Sequence, residues 1–344
     1  MTTVPAEVDL VAANELMALT TGLWASQTLV AAVDLDMFTF LADRGGADIA
    51  AVASGLGIDQ RPADILLTAC AALGLLECAG GVFTNAAVAT RYLVRGDSDY
   101  FGDYVRMLRD YVNPGWMRVT EAVRTNHPSR ETPKPQQNLF DADNRPVLFW
   151  EGLATLSRIT ARALATSVDF GQTSTLLDVG GGGAEFSMQL CRQNPGLSAI
   201  VFDLPHVCSF AERRINAAGL SGRVTVQPGD FFADAELPHG ADAILLSMIL
   251  HDWDVPQNHD LLEKCFRALP SGGLLVISEL LVDSDRTGPL DAALMGMNML
   301  VGTYGRNYTE REYHDWLRDT GFTGVRTVRF RAPAANGAIL ASKP

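Results

Sequence analysis

Short apolar runs that end in glycine or in polar residues recur through the second half of the chain, with amphipathic stretches between them. The first run covers Leu176 to Val179 in TLLDVGGGGAE, and later runs lie in SAIVFDLP, RVTVQPGDFF, ADAILLSMILHDWD and LLVISELLVD. A short, continuously apolar run is typical of a parallel strand that is covered on both faces. The alternation of such runs with helical patterns predicts an α/β fold.

Residues 8–42 carry apolar side chains at mixed three- and four-residue steps, among them Leu16, Leu19, Leu23 and Val33. The pattern predicts helix that is apolar nearly all round. A helix with so little polar surface is buried in a large core or against a second chain.

A winged-helix arrangement is predicted for the segment that follows. It consists of a short helix, a turn at Gly57, a second helix from Pro62 to Leu73, and two strands around Gly80 and Gly81. Winged helices that bind DNA present Arg, Lys, Asn or Gln to base edges. The second helix here, RPADILLTACAALG, has one arginine at its start, so the sequence favours a dimerisation scaffold.

The middle of the chain is predicted to be mostly helical. Residues 101–127 predict two helices broken at 113–115, and residues 147–170 predict an amphipathic helix. The segment between them, 128–146, is predicted to be a loop because prolines and polar residues cluster in it.

Composition excludes several classes of function. The chain has 344 residues, a net charge of −13 and a pI near 4.9, which argue against nucleic acid and anionic membranes as partners. No basic amino-terminal region precedes an apolar core, so a cytoplasmic location is expected. The five cysteines form no C-x-x-C pair and the six histidines have no metal-ligand spacing, so we expect buried thiols and no metal.

The glycine turn after the first strand predicts a nucleotide-type ligand. Its spacing is D-x-G-x-G (Asp178, Gly180, Gly182), and the third position of a dinucleotide fingerprint falls on Glu185 or Phe186, which does not fit. The second strand ends at Asp203, where a carboxylate can accept both hydroxyls of a ribose. The third ends at Asp230-Phe231, which offers an acceptor for an exocyclic amine and an aromatic face for a purine. Together these strand ends predict an adenosine site.

The fourth strand delivers His251, Asp252 and Trp253 at its carboxyl end. Ligands of open α/β sheets bind outside the carboxyl ends of the strands, so a catalytic side chain is expected there. An imidazole has an ordinary pKa near 6.5, so His251 is expected to be neutral at working pH and able to accept a proton.

The motifs DVGGGG, FDLP, GDFF, LHDWD and GRNYTEREY, taken in order, resemble those of class I S-adenosylmethionine-dependent O-methyltransferases of the caffeate, acetylserotonin and polyketide-tailoring type. The resemblance covers the whole chain. It implies a Rossmann-like seven-stranded sheet, closed by an antiparallel pair from VRTVRF and AILASK, and a mostly helical winged-helix dimerisation domain. The implied domains are 1–100 for dimerisation, 101–167 as a helical linker and lid over the acceptor, and 168–344 for cofactor binding and catalysis.

The resemblance also implies the cofactor, S-adenosyl-L-methionine with S-adenosyl-L-homocysteine as product, and a homodimer formed through the amino-terminal helices. The residues that it assigns to the cofactor are Asp178, Gly180, Gly182, Asp203, Leu204, Gly229, Asp230, Phe231, Phe232 and Ser247. Those that it assigns to the acceptor, a small aromatic or polyketide-like molecule, are Trp116, Phe149, Trp150, Met295, Asn298, Met299 and Tyr304.

In the resembled family a general-base histidine, here His251, is held by a carboxylate at the position of Glu279. A second carboxylate is usual where this chain has Asn307, which can orient the ring but cannot stabilise an imidazolium by charge. Asp252 is expected to act on the histidine, the cofactor or the acceptor.

Three further positions depart from the family pattern. Ala184 replaces a glycine, which is tolerated if its φ is negative. Ser247 stands where a long cation is common, and Tyr308 where arginine is common.

The implied activity is methyl transfer to a phenolic or enolic hydroxyl of a secondary metabolite, as in antibiotic biosynthesis. One alternative keeps the cofactor and the scaffold but performs C-methylation, hydroxylation or cyclisation. A less favoured alternative is a winged-helix regulator that binds a small ligand.

Overall fold

A computed structural model describes residues 10–129 and 147–344. The chain divides into two compact units, the first ending at Arg106 and the second running from Met107 to Pro344. Most of the loop predicted at 128–146 therefore lies outside the described residues, as do the first nine residues. The domain boundaries predicted at residues 100 and 167 stay predictions.

The first unit is helical, with one two-stranded hairpin. Its helices are α1 (Leu10–Thr20), α2 (Gly22–Asp34), α3 (Met37–Arg44), α4 (Ile49–Leu56), α5 (Gln60–Ala72), α6 (Ala87–Tyr92) and α7 (Gly102–Met107), and its strands are β1 (Leu76–Ala79) and β2 (Val82–Asn85). The predicted helix–turn–helix followed by a hairpin is confirmed, with β1 and β2 antiparallel. Asp48 caps α4 by accepting from the N–H of Ala51, and Gly57 ends that helix with a φ of +67°.

The helix predicted for residues 8–42 is confirmed for the described part of that segment, where it is divided into three helices. The hydroxyl of Thr21 bonds to the carbonyl of Met17 at the first break. At the second break, Asp36 adopts a left-handed φ of +53°, which a helix cannot continue through. Leu16, Leu19, Leu23 and Trp24 remain exposed on α1 and α2.

Among the described residues no single helix is both long and apolar enough to cross a membrane. One bent pair, Ala13–Thr20 with Gly22–Asp34, satisfies length and composition only when its two parts are taken together.

The second unit begins with short helical pieces. They are a π-helical turn (Leu108–Val112), α8 (Asn113–Trp116), α9 (Val119–Thr125) and α10 (Val147–Ser167). The break predicted at 113–115 is wrong, because Pro114 lies in the first turn of α8, where a missing N–H costs nothing. The interruption falls instead between α8 and α9.

A seven-stranded sheet forms the centre of the second unit, as predicted. Its strands are β3 (Thr175–Val179), β4 (Ser198–Asp203), β5 (Val224–Pro228), β6 (Ala243–Ser247), β7 (Leu274–Glu279), β8 (Thr323–Arg329) and β9 (Gly337–Ser342), in the spatial order β5-β4-β3-β6-β7-β9-β8. The first five are mutually parallel, and β9 is antiparallel to both β7 and β8. The sequence order reverses between β3 and β6, which makes their carboxyl ends the switch point of the sheet.

Helices cover both faces of this sheet. They are α11 (Glu185–Gln193), α12 (Pro205–Ala217), α13 (Val255–Ala268) and α15 (Glu310–Thr320). Helix α14 (Leu290–Gly302) packs instead against α8, α9 and a 3₁₀ turn at Leu250–Asp252. Two apolar clusters, one on each face, contain the alternating side chains of the strands. With both faces covered, ligands can reach only the strand ends.

Candidate active site

The glycine turn after β3 is held by backbone conformation and by Asp203. Gly180 and Gly182 have φ values of +70° and +54°, and a methyl group on Gly180 would overlap the side chain of Ile249. The N–H of Gly182 donates to Oδ2 of Asp203 at 2.9 Å. Ala184 has a φ of +65°, so the condition under which alanine would be tolerated without strain is not met. Its methyl group is instead part of the core at the start of α11.

Asp178 supports this turn from below. Its side chain is buried, and its Oδ2 accepts a hydrogen bond of 2.7 Å from the hydroxyl of Ser187. A methyl group on Gly181 would lie 2.8 Å from the carboxyl carbon of Asp178. Burial raises the pKa of Asp178 to about 6, against the hydrogen bond from Ser187, which lowers it.

Asp203 is a half-buried residue at the end of β4. It accepts from the N–H of Gly182 and, at 2.7 Å, from its neighbour Leu204. A carboxylate has about four lone-pair positions, so two remain for a ligand. Desolvation raises the pKa of Asp203 to about 6, although both backbone donors lower it.

The loop after β5 carries Asp230, Phe231 and Phe232. Oδ1 of Asp230 accepts from the N–H of Phe232 at 2.8 Å, and a methyl group on Gly229 would overlap the ring of Phe202. The rings of Phe231 and Phe232 meet Trp253 edge to face, with centroids 5.8 and 4.5 Å away. This loop, which the sequence predicts for adenine, therefore touches the segment that follows His251.

The segment after β6, Met248–Trp253, is called here the histidine loop. Met248 has a φ of +57°, which is rare for a residue with a side chain and marks local strain. Oε1 of Glu279, at the end of β7, accepts from the N–H groups of Ile249 (3.1 Å), Leu250 (3.1 Å) and His251 (3.4 Å). Glu279 thus holds the backbone of the loop as well as the ring.

His251 is buried between two carboxylates. Its Nδ1 lies 2.8 Å from Oε2 of Glu279, and its Nε2 lies 3.8 Å from Oδ1 of Asp252. The first contact is an ion pair by distance rather than an aligned hydrogen bond. Burial lowers the pKa of His251, but the carboxylates of Glu279 and Asp252 outweigh it and raise that pKa to about 9. The two carboxylates thus favour the protonated ring in the protein without ligands, whereas the ordinary pKa of an imidazole favours a neutral one.

Among the described residues, the side chain of Asn307 makes no hydrogen bond to the imidazole. Its Nδ2 donates to the carbonyl of Leu280 at 2.7 Å, next to Glu279. Among residues 10–129 and 147–344, its buried Oδ1 has no hydrogen-bond partner, so no direct contact orients His251. Tyr308, the other departure in this segment, donates from its hydroxyl to the carbonyl of Trp253 at 2.6 Å. The hydroxyl of Ser247 is likewise buried with no partner within the described part of the chain.

The predicted acceptor residues fall into separate groups. Nε1 of Trp116 donates to Oδ1 of Asn298 at 3.0 Å, and Nδ2 of Asn298 lies 3.8 Å from the sulfur of Met295. The rings of Phe149 and Trp150 pack against each other on α10, with centroids 5.2 Å apart. Met299 is buried, whereas Tyr304 is exposed with its hydroxyl 3.2 Å from Nδ1 of His127.

Several residues that shape the site were not predicted from the sequence. Gly305 packs so closely on the histidine loop that a methyl group there would lie 2.5 Å from the nitrogen of Trp253. Asn258 donates from Nδ2 to the carbonyls of Leu250 (2.9 Å) and Trp253 (3.3 Å). Lys264 binds the backbone of the loop after β5. The one sequence feature that could have indicated Lys264 is its place on the buried stripe of α13, where a cation needs partners.

No group of three or more residues suited to hold a metal ion occurs in the described residues. The groups that the strand ends offer include carboxylates, an imidazole and backbone N–H groups around a glycine turn.

The fold and the site define a Rossmann-like enzyme with a nucleotide-type cofactor. The chain belongs to the O-methyltransferase family: residues 133–323 match the O-methyltransferase domain, and residues 17–95 match the O-methyltransferase dimerisation domain. The predictions of the family, of the fold class and of a methyltransferase are confirmed.

Known relatives extend over nearly the whole chain. It is 58% identical to the 3-hydroxy-5-methyl-1-naphthoate 3-O-methyltransferase of Streptomyces sahachiroi, over 95% of this chain and 94% of the relative. It is 35% identical to the acetylserotonin O-methyltransferase of Bos taurus, over 90% and 92% of the two chains. The crystal structure of human N-acetylserotonin methyltransferase in complex with SAM matches with a TM-score of 0.87 at 29% identity, over 100% and 99% of the two chains.

Proposed function

We propose that the protein transfers the methyl group of S-adenosylmethionine to a hydroxyl of a small aromatic acceptor, of the hydroxynaphthoate class, in secondary metabolism. The observation that carries the proposal is the position of His251 at the switch point of the sheet, 2.8 Å from Glu279. The 58% identity to a naphthoate O-methyltransferase supports the acceptor class.

The residues at the strand ends fit the cofactor. Gly180 and Gly182 leave the turn free of side chains, and Asp203 keeps two lone-pair positions for the hydroxyls of a ribose. Ser247 offers a buried hydroxyl that has no partner among the described residues. S-Adenosylmethionine, the methyl donor expected from the sequence, supplies a methyl group on a cationic sulfur and leaves as S-adenosylhomocysteine.

The chain itself contributes position and proton transfer. His251 takes the proton of the acceptor hydroxyl on Nε2 as the oxygen forms its bond to the methyl carbon and the carbon–sulfur bond breaks. Glu279 fixes the ring through Nδ1, and together with Asp252 it stabilises the imidazolium that results. The charge that Asn307 cannot supply is therefore supplied by Asp252. Alignment of the two reactants accounts for about 7–11 kcal/mol of barrier lowering, and the base adds a factor of about 10²–10⁴.

The test is incubation with methyl-labelled S-adenosylmethionine and a panel of hydroxynaphthoates, simple phenols, anthracyclinones and α-keto acids. We expect label in an aryl ether and a rate at least about tenfold lower for His251→Ala. His314→Ala is the matched control, because that half-buried ring bonds to Thr327 and lies outside the site. Label on carbon, or turnover without consumption of the methyl donor, would favour the alternative chemistry on the same scaffold.

The assembly that we propose is a homodimer formed through the amino-terminal helices. Its support is the match of residues 17–95 to a dimerisation domain, together with the exposed side chains Leu19, Leu23 and Trp24. The net charge of −13 supports the absence of nucleic acid and anionic membranes among its partners, and the location proposed for the enzyme is the cytoplasm. Light scattering of the purified protein tests the dimer, and a monomeric mass would contradict it.

A further inference from the structure

Lys264 is a buried cation that binds backbone. The chain contains only three lysines (Lys134, Lys264 and Lys343), and Lys264 is 6% exposed on α13. Its Nζ donates to the carbonyls of Phe231 (2.8 Å), Asp234 (3.0 Å) and Phe232 (3.3 Å). One carboxylate, that of Asp260, lies 3.1 Å from the same nitrogen at the surface end of the site.

This arrangement explains why an ammonium group lies here. A buried charge is tolerated only where its hydrogen-bonding capacity is filled, and an ammonium has three donors for the three carbonyls. The carbonyls belong to a turn rather than a strand, so a sheet partner does not satisfy them. A lysine can converge on three acceptors from a flexible stem, whereas the planar fork of an arginine suits a carboxylate. Lys264 thus anchors the turn after β5 through hydrogen bonds to its backbone.

The turn after β5 is the segment that the sequence analysis assigns to the adenosyl group. It contains Asp230 and Phe231, and its two phenylalanine rings pack against Trp253. The backbone of the histidine loop is held by hydrogen bonds to other residues, Glu279 and Asn258. We propose that Lys264 is a positioning residue for the cofactor: it sets the carboxylate of Asp230 and the ring of Phe231 without touching the ligand. This inference rests on the proposed function, because it needs an adenosyl group at that loop.

Because different residues hold the two loops, loss of Lys264 is predicted to change cofactor binding without changing turnover. Loss of the Lys264 contacts loosens the loop after β5 and weakens binding of the cofactor. The histidine loop keeps Glu279 and Asn258, so turnover at saturating cofactor should be nearly unchanged. A residue that only stabilised the fold would not separate KM for the cofactor from kcat in this way.

The experiment measures S-adenosylhomocysteine binding by calorimetry, together with KM and kcat, for the wild type, Lys264→Met, Lys264→Arg and Lys343→Met. Lys343 is the matched control, because its Nζ also binds a backbone carbonyl, that of Leu269 at 2.6 Å, away from the cofactor loop. We expect the Kd of Lys264→Met to rise about tenfold or more, since hydrogen bonds to a buried charge are lost, with kcat kept. Lys264→Arg should fall between it and the wild type, and Lys343→Met should bind as the wild type does.

The outcomes separate the two proposals. If the wild type does not bind S-adenosylhomocysteine, the proposed function fails. If the wild type binds and Lys264→Met binds equally well, or loses kcat at unchanged Kd, the role of Lys264 is wrong. If Lys264→Met does not fold, Lys264→Arg decides: a weakened Kd at unchanged kcat supports the role, and wild-type binding refutes it.

Discussion

The ends of β3 and β6 lie side by side in the sheet, yet they present the chain to a ligand by different means. After β3, the glycine turn relies mainly on residues within it, since Gly180 and Gly182 adopt positive φ values where side chains would be strained, and Asp203 of β4 adds one hydrogen bond. After β6, the histidine loop contains no glycine. Its shape depends on Glu279, from another strand, whose Oε1 accepts three of its N–H groups. The conformation of a binding turn can therefore be encoded mainly by its own residues. The conformation of a loop that carries a catalytic ring depends on a residue distant in sequence.

The largest effect is expected from Glu279→Gln, which removes the distant carboxylate from the histidine loop. Breaking a buried charge pair lowers the free energy of unfolding by about 3–5 kcal/mol. We expect kcat to fall by about 10²–10⁴-fold, because the ring loses its orientation and its countercharge. Chemical denaturation and steady-state kinetics measure the two quantities. The control is Glu310→Gln, whose carboxylate pairs with Arg329 at the surface and should matter little.

The same variant should change the pH dependence. A general base works when deprotonated, so the wild-type kcat/KM should rise with pH up to the His251 pKa of about 9. Without the Glu279 carboxylate, burial lowers that pKa, and the rise should move to lower pH with a smaller plateau. An unchanged midpoint would contradict the role given to Glu279.

An intermediate effect is expected from Gly305→Ala, which pushes on the histidine loop from outside. The new methyl group would lie 2.5 Å from the nitrogen of Trp253. Overpacking of this kind costs about 1–3 kcal/mol, and we expect kcat to fall while binding of S-adenosylhomocysteine is kept. Gly296→Ala is the matched control, because its methyl group would meet Asn307 at an ordinary 3.6 Å. Equal losses of kcat in the two variants would show that the histidine loop is not the target.

The smallest effect is expected from Ala184→Gly in the glycine turn. Glycine relieves the left-handed φ of +65°, a strain of about 1–2 kcal/mol, but the chain loses a buried methyl group and gains freedom when unfolded. These contributions nearly cancel, so the free energy of unfolding should change by less than about 1 kcal/mol, with cofactor binding kept. A large change in either quantity would mean that the turn is not set locally.

The contrast between the two strand ends also explains what the sequence could predict. Each strand is encoded by its own short run of residues, Asp178 stands beside the glycine turn and Asp203 ends its own strand, and the structure has strands and turn where they were expected. The contacts of Glu279, Gly305 and Lys264 are made between distant segments that meet only in the folded sheet, so one sequence gives no direct measure of them. The positive φ of Ala184 is a smaller case, because alanine in itself prefers the opposite sign.

Helix α13 connects the histidine loop with the loop after β5: Asn258 bonds to the first and Lys264 to the second. These residues are six positions apart, a rise of about 9 Å along a helix axis. A helix segment of this length is stiff, so when thermal motion displaces it, the two loops move together. The distance between the proton acceptor and the adenosyl group would then be maintained during thermal motion of the surrounding protein. The outward face of α13 would be free to vary during evolution.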